Sequence, residues 1–190
     1  MLSAPFRFDE QDHSYTTDDG RVVSITGLLA VGGWIDDRWY TEESSERGRF
    51  VHKLAADYDL GAIDACDAPP AYLGYLLAHV TLTKIVKPEW RHVEVPAVHR
   101  TLKFAGRCDR VGYVYKRGAV LEVKSGDEEK GHPIQTALQA ILAADELALP
   151  AESIDRYAAY YSATGRYRLK QHVNPQDFVE ARKLIAKYAA

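Results

Sequence analysis

The residues best placed to do chemistry lie between Phe104 and Ser125, in FAGRCDRVGYVYKRGAVLEVKS. Asp109, Glu122 and Lys124 are charged side chains in sequence that otherwise forms strands, with Lys116-Arg117-Gly118 as the turn between two β-branched and aromatic runs. With Lys116 and Arg117 as a two-residue loop, Tyr115 pairs with Gly118, Asp109 faces Lys124, and Val111 faces Glu122. Side chains alternate along a strand, so Asp109, Glu122 and Lys124 share one face, and any even-length loop preserves this. Two carboxylates beside an ammonium have the makings of a divalent-metal site with a basic partner. An Asp opposite a Lys is also an ordinary cross-strand pair. Ala119, Val120, Leu121 and Val123 are apolar on both faces, as in a strand covered on both sides. There Glu122 and Lys124 are costly unless paired or bound to an ion. Gly106 lets another segment approach the strand closely.

Other elements must bring partners to this ribbon. Residues 42–58, EESSERGRFVHKLAADY, read as a helix with Phe50, Val51, Leu54, Ala55 and Tyr58 on one stripe. His52 sits at the margin of that stripe, one turn after Gly48. A helix-interior Gly costs roughly 1 kcal/mol relative to Ala, which points to a backbone or a ligand approaching there. Trp90 to His99 alternates as a strand, within which Glu94 reads as a further metal ligand, an acid supporting the ligands, or an exposed strand residue. A further helix runs from His132 to about Leu147, with Gln135 and Gln139 one turn apart on a flank.

Gly106-Arg107-Cys108-Asp109 followed by Glu122-Val123-Lys124 resembles the core of the PD-(D/E)XK nuclease superfamily, in its RecB-like and phage-type exonuclease branch. Gly48-x-x-x-His52 resembles the G-x-x-x-H element that precedes D…ExK in that branch. The resemblance implies an α/β, restriction-endonuclease-like fold: a mixed central β-sheet flanked by helices, with an N-terminal β-hairpin. It implies Mg²⁺ or Mn²⁺ held by Asp109, Glu122, the backbone carbonyl of Val123 and His52. Lys124 then positions or deprotonates the attacking water, and Gln139 or Gln135 orients Lys124 or the phosphate. The family's Q-x-x-x-Y element is incomplete: Gln135 is followed by Gln139, and Gln139 by Ala143. Two cysteines, Cys66 and Cys108, exclude a four-thiolate iron–sulfur cluster.

The chain has 190 residues and a net charge of −3, and is expected to form a single domain over 1–190. No overall positive field marks a nucleic-acid binder, but residues 151–190 carry seven Lys/Arg against four acids. Residues 6–26 read as a β-hairpin turning at Asp18-Asp19-Gly20, where His13 is a surface or hairpin residue. Residues 34–40, WIDDRWY, offer either a hydrophobic anchor or a stacking platform for unpaired bases. A second hairpin over 154–173 mixes tyrosines with cations, which suits a nucleic-acid wall or an amphipathic edge. Arg47, Arg49, Trp39, Tyr160 and Arg166 are the candidate DNA contacts. No segment reads as a signal peptide or membrane span, so the expected compartment is the cytoplasm, and protein partners are not indicated. The expected activity is metal-dependent hydrolysis of DNA, most simply exonucleolytic, at duplex ends or on single strands; the alternatives are a structure-specific endonuclease and a non-catalytic nucleic-acid-binding or scaffolding member of the same fold.

Overall fold

The computed structural model describes residues 6–10, 12, 14–35 and 41–189, so His13 and Trp39 lie outside the described residues. The chain opens with β1 (Arg7–Asp9), β2 (Ser14–Thr17) and β3 (Gly20–Ser24), paired as an antiparallel meander. The expected single hairpin gains a reversal: Phe8 pairs with Tyr15 from the next strand, with ring centroids 4.9 Å apart. Gly20, at φ 114°, ends the second turn at the predicted place.

Helix α1 (Ile25–Val31) starts where Ser24 Oγ accepts the Gly27 N–H. Helix α2 (Glu42–Asp59) starts from a reciprocal pair of Thr41 and Ser44 hydrogen bonds. Helix α3 (Pro70–Val86) opens on a proline, whose missing N–H would be unpaired there anyway. Then follow β4 (Glu89–His99), β5 (Phe104–Val114), β6 (Arg117–Lys124), α4 (His132–Leu147), β7 (Asp155–Tyr161), β8 (Tyr167–Gln171) and α5 (Gln176–Tyr188).

These strands form an open mixed sheet. β4, β5 and β6 are successively antiparallel, β6 and β7 are parallel across the α4 crossover, and β8 returns antiparallel to β7. β3 joins β5 in parallel. Helices α1, α4 and α5 bury Leu28, Leu138, Ile141, Leu184 and Ile185 against Phe104, Val111 and Val120 on one face. Helices α2 and α3 bury Val51, Ala55, Ala78 and Leu82 against Leu121, Val123, Tyr157 and Ala159 on the other. β6 is therefore covered on both sides, as its apolar run requires.

One irregularity of this sheet makes room for chemistry. Phe104 pairs with Val23 on one edge and His99 on the other, whereas Arg110 pairs with Leu121 and Val93. β3 and β6 therefore share one edge of β5, and among the described residues none pairs with residues 106–109 between them on that side. The β5–β6 turn is Tyr115-Lys116, both at positive φ (50° and 64°), as a type I′ hairpin demands. Val114 thus pairs with Arg117 and Val111 with Val120, so the register brings Asp109 opposite Glu122 rather than Lys124. The sequence offered no Gly or Asn to mark the true turn.

The tightest approach between elements occurs at Gly74 of α3, where a Cβ would lie 1.8 Å from the Ala163 carbonyl oxygen in the β7–β8 turn. Gly74→Ala is therefore expected to cost about 1–3 kcal/mol through backbone displacement. Urea unfolding should show a lower midpoint with an unchanged m-value.

Candidate metal centre and its surroundings

Helix α2 lies over the gap in β5's edge and delivers His52 to it. His52 Nδ1 sits 3.3 Å from Asp109 Oδ2 on β5 and 3.4 Å from Glu94 Oε1 on β4. One donor atom from each of His52, Glu94 and Asp109 fits within a 4.8 Å group. Asp109 is reached this way because its strand has lost its neighbour: Oδ2 accepts the Val123 N–H at 2.7 Å, where the next ladder bond would otherwise form. Glu94 holds φ 53° within a strand, a left-handed backbone that is strained for a side-chain-bearing residue. That strain coincides with the point where the carboxylate turns toward His52.

Glu122 is held from the other side of the sheet. Its Oε1 accepts from Lys124 Nζ at 2.9 Å and Gln135 Nε2 at 2.7 Å, and its Oε2 accepts from Gln139 Nε2 at 2.5 Å. Gln135 Oε1 accepts a second Lys124 hydrogen bond at 3.0 Å, so acid, amine and amide form a closed ring of contacts. The two-residue turn preserves the even-loop register expected for Asp109, Glu122 and Lys124, but different helices supply their partners. Asp109 is engaged by α2, Glu122 and Lys124 by α4, and the two groups meet across the β5–β6 seam. Glu122 lies outside the compact His52–Glu94–Asp109 group, and its oxygens accept from these three donors. The choice between Gln135 and Gln139 dissolves, since α4 presents both to the same carboxylate.

A buried network, not anticipated from sequence, braces the α2 side. Arg110 is fully buried, donating from Nε to Asp59 Oδ2 at 2.5 Å and from Nη1 to Glu94 Oε1 at 3.3 Å and the Asp109 carbonyl at 2.6 Å. Asp59 Oδ1 lies 2.9 Å from His79 Nε2, and His79 Nδ1 lies 2.8 Å from the Tyr161 hydroxyl. Arg107 Nε adds a contact to Glu94 Oε2 at 3.1 Å. The available signal was Arg110 itself, a guanidinium in an apolar strand that demanded buried partners.

The remaining candidates divide. Arg49 is exposed and lines a groove of about 510 Å³ with Gly48, His52, Lys53, Glu94 and Arg107. Arg47 is half-buried, with its Nε enclosed. Arg166 is exposed on the β7–β8 turn, its Nε 3.3 Å from Thr164 Oγ1. Tyr160 is a core residue, 6 % exposed, its hydroxyl on His132 Nδ1 at 2.9 Å, so it presents no accessible ring to a strand. The Val123 side chain is buried, and its N–H is committed to Asp109. Among the described residues, no backbone crowds Gly48: a Cβ there would meet only Ser125 Oγ, at 3.9 Å. Gly106 does allow a close approach, for a Cβ there would lie 2.5 Å from Ile25 Cδ1.

The electrostatics explain what such a site wants. Burial works to lower the His52 pKa, but Asp109, then Glu94 and Glu122, raise it to about 10. The imidazolium thus supplies part of the positive charge that the carboxylates call for. Burial would also raise Asp59, yet His79 and Arg110 hold it below the usual carboxylate range. His132, at the start of α4, is lowered to about 3 by burial and the Lys124 charge, and so stays neutral. Two carboxylates and one imidazole are a donor set that fits a hard or borderline divalent cation once His52 gives up its proton.

No family model matches the chain, and no curated protein matches it in sequence. Its fold is similar to the crystal structure of a putative exonuclease from Eubacterium rectale, with a TM-score of 0.50 at 13% identity, covering 88% of this chain and 78% of that one. A structure titled SSO0001 aligns with a TM-score of 0.34 at 19% identity, over 73% of this chain and 75% of that one. Among the described residues, no helix is long and apolar enough to cross a membrane.

Two outcomes are expected. Gly48→Ala should stabilise the protein by about 0.5–1 kcal/mol, through helix propensity in open space, raising the thermal midpoint. His52, raised when folded, contributes stability that is complete below pH 6.5 and lost as pH rises toward 10. Metal-free urea titrations from pH 6 to pH 10 should show this decline, and His52→Gln should flatten it.

Proposed function

We propose that the chain is a divalent-metal-dependent nuclease that hydrolyses phosphodiester bonds in DNA. The observation that carries this reading is the His52–Glu94–Asp109 group set beside the Lys124–Glu122–Gln135 ring at one seam of the sheet. The resemblance of GRCD, EVK and G-x-x-x-H to the PD-(D/E)XK superfamily supports it, as does the fold shared with the E. rectale protein. Chain 1–190 then constitutes one such nuclease domain.

His52, Glu94 and Asp109 would hold Mg²⁺ or Mn²⁺, with Glu122 and the Val123 carbonyl as further donors across the seam. The cation would neutralise phosphate charge and acidify a water. Lys124 orients that water and stabilises the charge that builds on the phosphate as the P–O bond to the leaving oxygen breaks. Gln135 and Glu122 fix the ammonium in place. Gln139, almost fully buried, anchors Glu122 rather than touching substrate. Arg49, Lys53 and Arg107 line the adjacent groove together with Glu10 and Glu94, and are the cations a DNA backbone there would meet. An exonuclease working on ends or single strands in DNA processing inside a bacterial or phage-infected cell is the specific form of this proposal.

Linear DNA incubated with Mn²⁺ should be degraded, and Glu122→Ala and Lys124→Ala should each lower the rate by about 10²–10⁴-fold. Degradation that persists in both variants would refute the assignment. Covalently closed circles should resist an exonuclease, so their cleavage would shift the assignment to an endonuclease. Calorimetric Mn²⁺ binding should release a proton and tighten from pH 6 to pH 8, because the His52 imidazolium must lose its proton to ligate. Glu94→Ala should weaken that binding.

A further inference from the structure

A second, smaller cavity opens beside Lys124, on the α4 side of the seam. It has a volume of about 140 Å³, against 510 Å³ for the groove over His52. Leu29, Trp34 and Ile35 give it an apolar, partly aromatic wall, and Thr26, Glu129 and Gln135 give it a polar rim. Among the described residues, Lys124 is the sole Lys or Arg lining it. Gly131, which caps α4, approaches Trp34 so closely that a Cβ would lie 2.6 Å from the Trp34 carbonyl oxygen.

The chemistry of the lining sorts the possible occupants. A phosphate would meet the Glu129 carboxylate and, next to Lys124, that of Glu122, with one ammonium already shared between Glu122 and Gln135. A nucleobase presents flat apolar faces and a polar edge, which suit such a lining. Lys124 belongs both to this cavity and to the proposed reaction centre, so the occupant must adjoin the phosphate being cut.

We propose that this pocket receives a single unpaired nucleobase, from the nucleotide flanking the scissile phosphate, so that the strand must be unpaired where it is cleaved. The inference rests on the nuclease reading above and deepens it. It assigns the sugar–phosphate backbone to the groove along α2 and the base to the pocket between α1 and α4. A duplex end then has to fray before it reacts, whereas a single strand enters directly.

The test scans one abasic residue along a labelled single strand and measures kcat/KM in Mn²⁺ for the wild type and for Thr26→Trp. Thr26 is exposed on α1, so the larger side chain fills the pocket without disturbing the core. Loss of the base next to the cut should lower the wild-type value about tenfold, the scale of one base–aromatic contact. Thr26→Trp should lower the value for the intact strand similarly and erase the effect of the abasic residue. Trp34→Ala, with folding verified by thermal melt, should also erase it. A duplex with cross-linked terminal pairs should react about tenfold more slowly than one with a mismatched, frayed end. Equal abasic effects in wild type and Thr26→Trp, or equal rates on cross-linked and frayed ends, would overturn the pocket assignment while leaving the nuclease standing. A wild type that cleaves none of these substrates overturns both.

Discussion

The structure is governed by the need to neutralise carboxylates withdrawn from bulk water. Asp59, Glu94, Asp109 and Glu122 crowd one end of the central strands, and each has a cation or an amide brought to it. Arg110 serves Asp59 and Glu94, His52 serves Asp109 and Glu94, and Lys124 with two glutamines serves Glu122. A buried ion removed from such a set leaves its partner uncompensated, at a cost of about 3–5 kcal/mol. The partners come from α2, α3, α4, β4, β5 and β6, so the charge balance dictates how these elements assemble. The apolar cores on the two faces supply the bulk of the stability. The carboxylates specify the arrangement at the seam.

Much of this was legible in the sequence, for identifiable reasons. Asp109, Glu122 and Lys124 stood out because charges in an apolar strand need partners, and His52 because Gly48-x-x-x-His52 resembles the G-x-x-x-H element of RecB-like nucleases. The helices read well because their stripes and terminal residues agree: α4 runs from His132 to Leu147 as periodicity predicted. The register did not read well. A type I′ turn built on Tyr115 and Lys116 lacks the usual Asn-Gly signature, and the loop slid by one position toward Gly118.

Glu94 shows where sequence reasoning runs out. Its flanking valines announced a strand, but nothing announced the positive φ that turns its carboxylate toward His52. Asp59 and His79 were equally silent, since their roles come from Arg110, in a strand distant along the chain. Glu122 was placed among the metal ligands by the family resemblance, and no local pattern announced its three donors from Lys124, Gln135 and Gln139. The regular ladder ends at Arg110 and Leu121, and Asp109 takes the Val123 N–H for itself. Tertiary withdrawal of a neighbouring strand is invisible to any local pattern.

The turn at the far end of the β5–β6 ribbon has a practical use. Tyr115 is 67% exposed there, and the ribbon runs from it to the seam holding Asp109 and Lys124. An attachment point at Tyr115 would sit at the opposite end of these two central strands from the reactive groups. Immobilisation on a bead, or a donor dye for distance measurements, could be introduced at that tip with the working end left facing the medium.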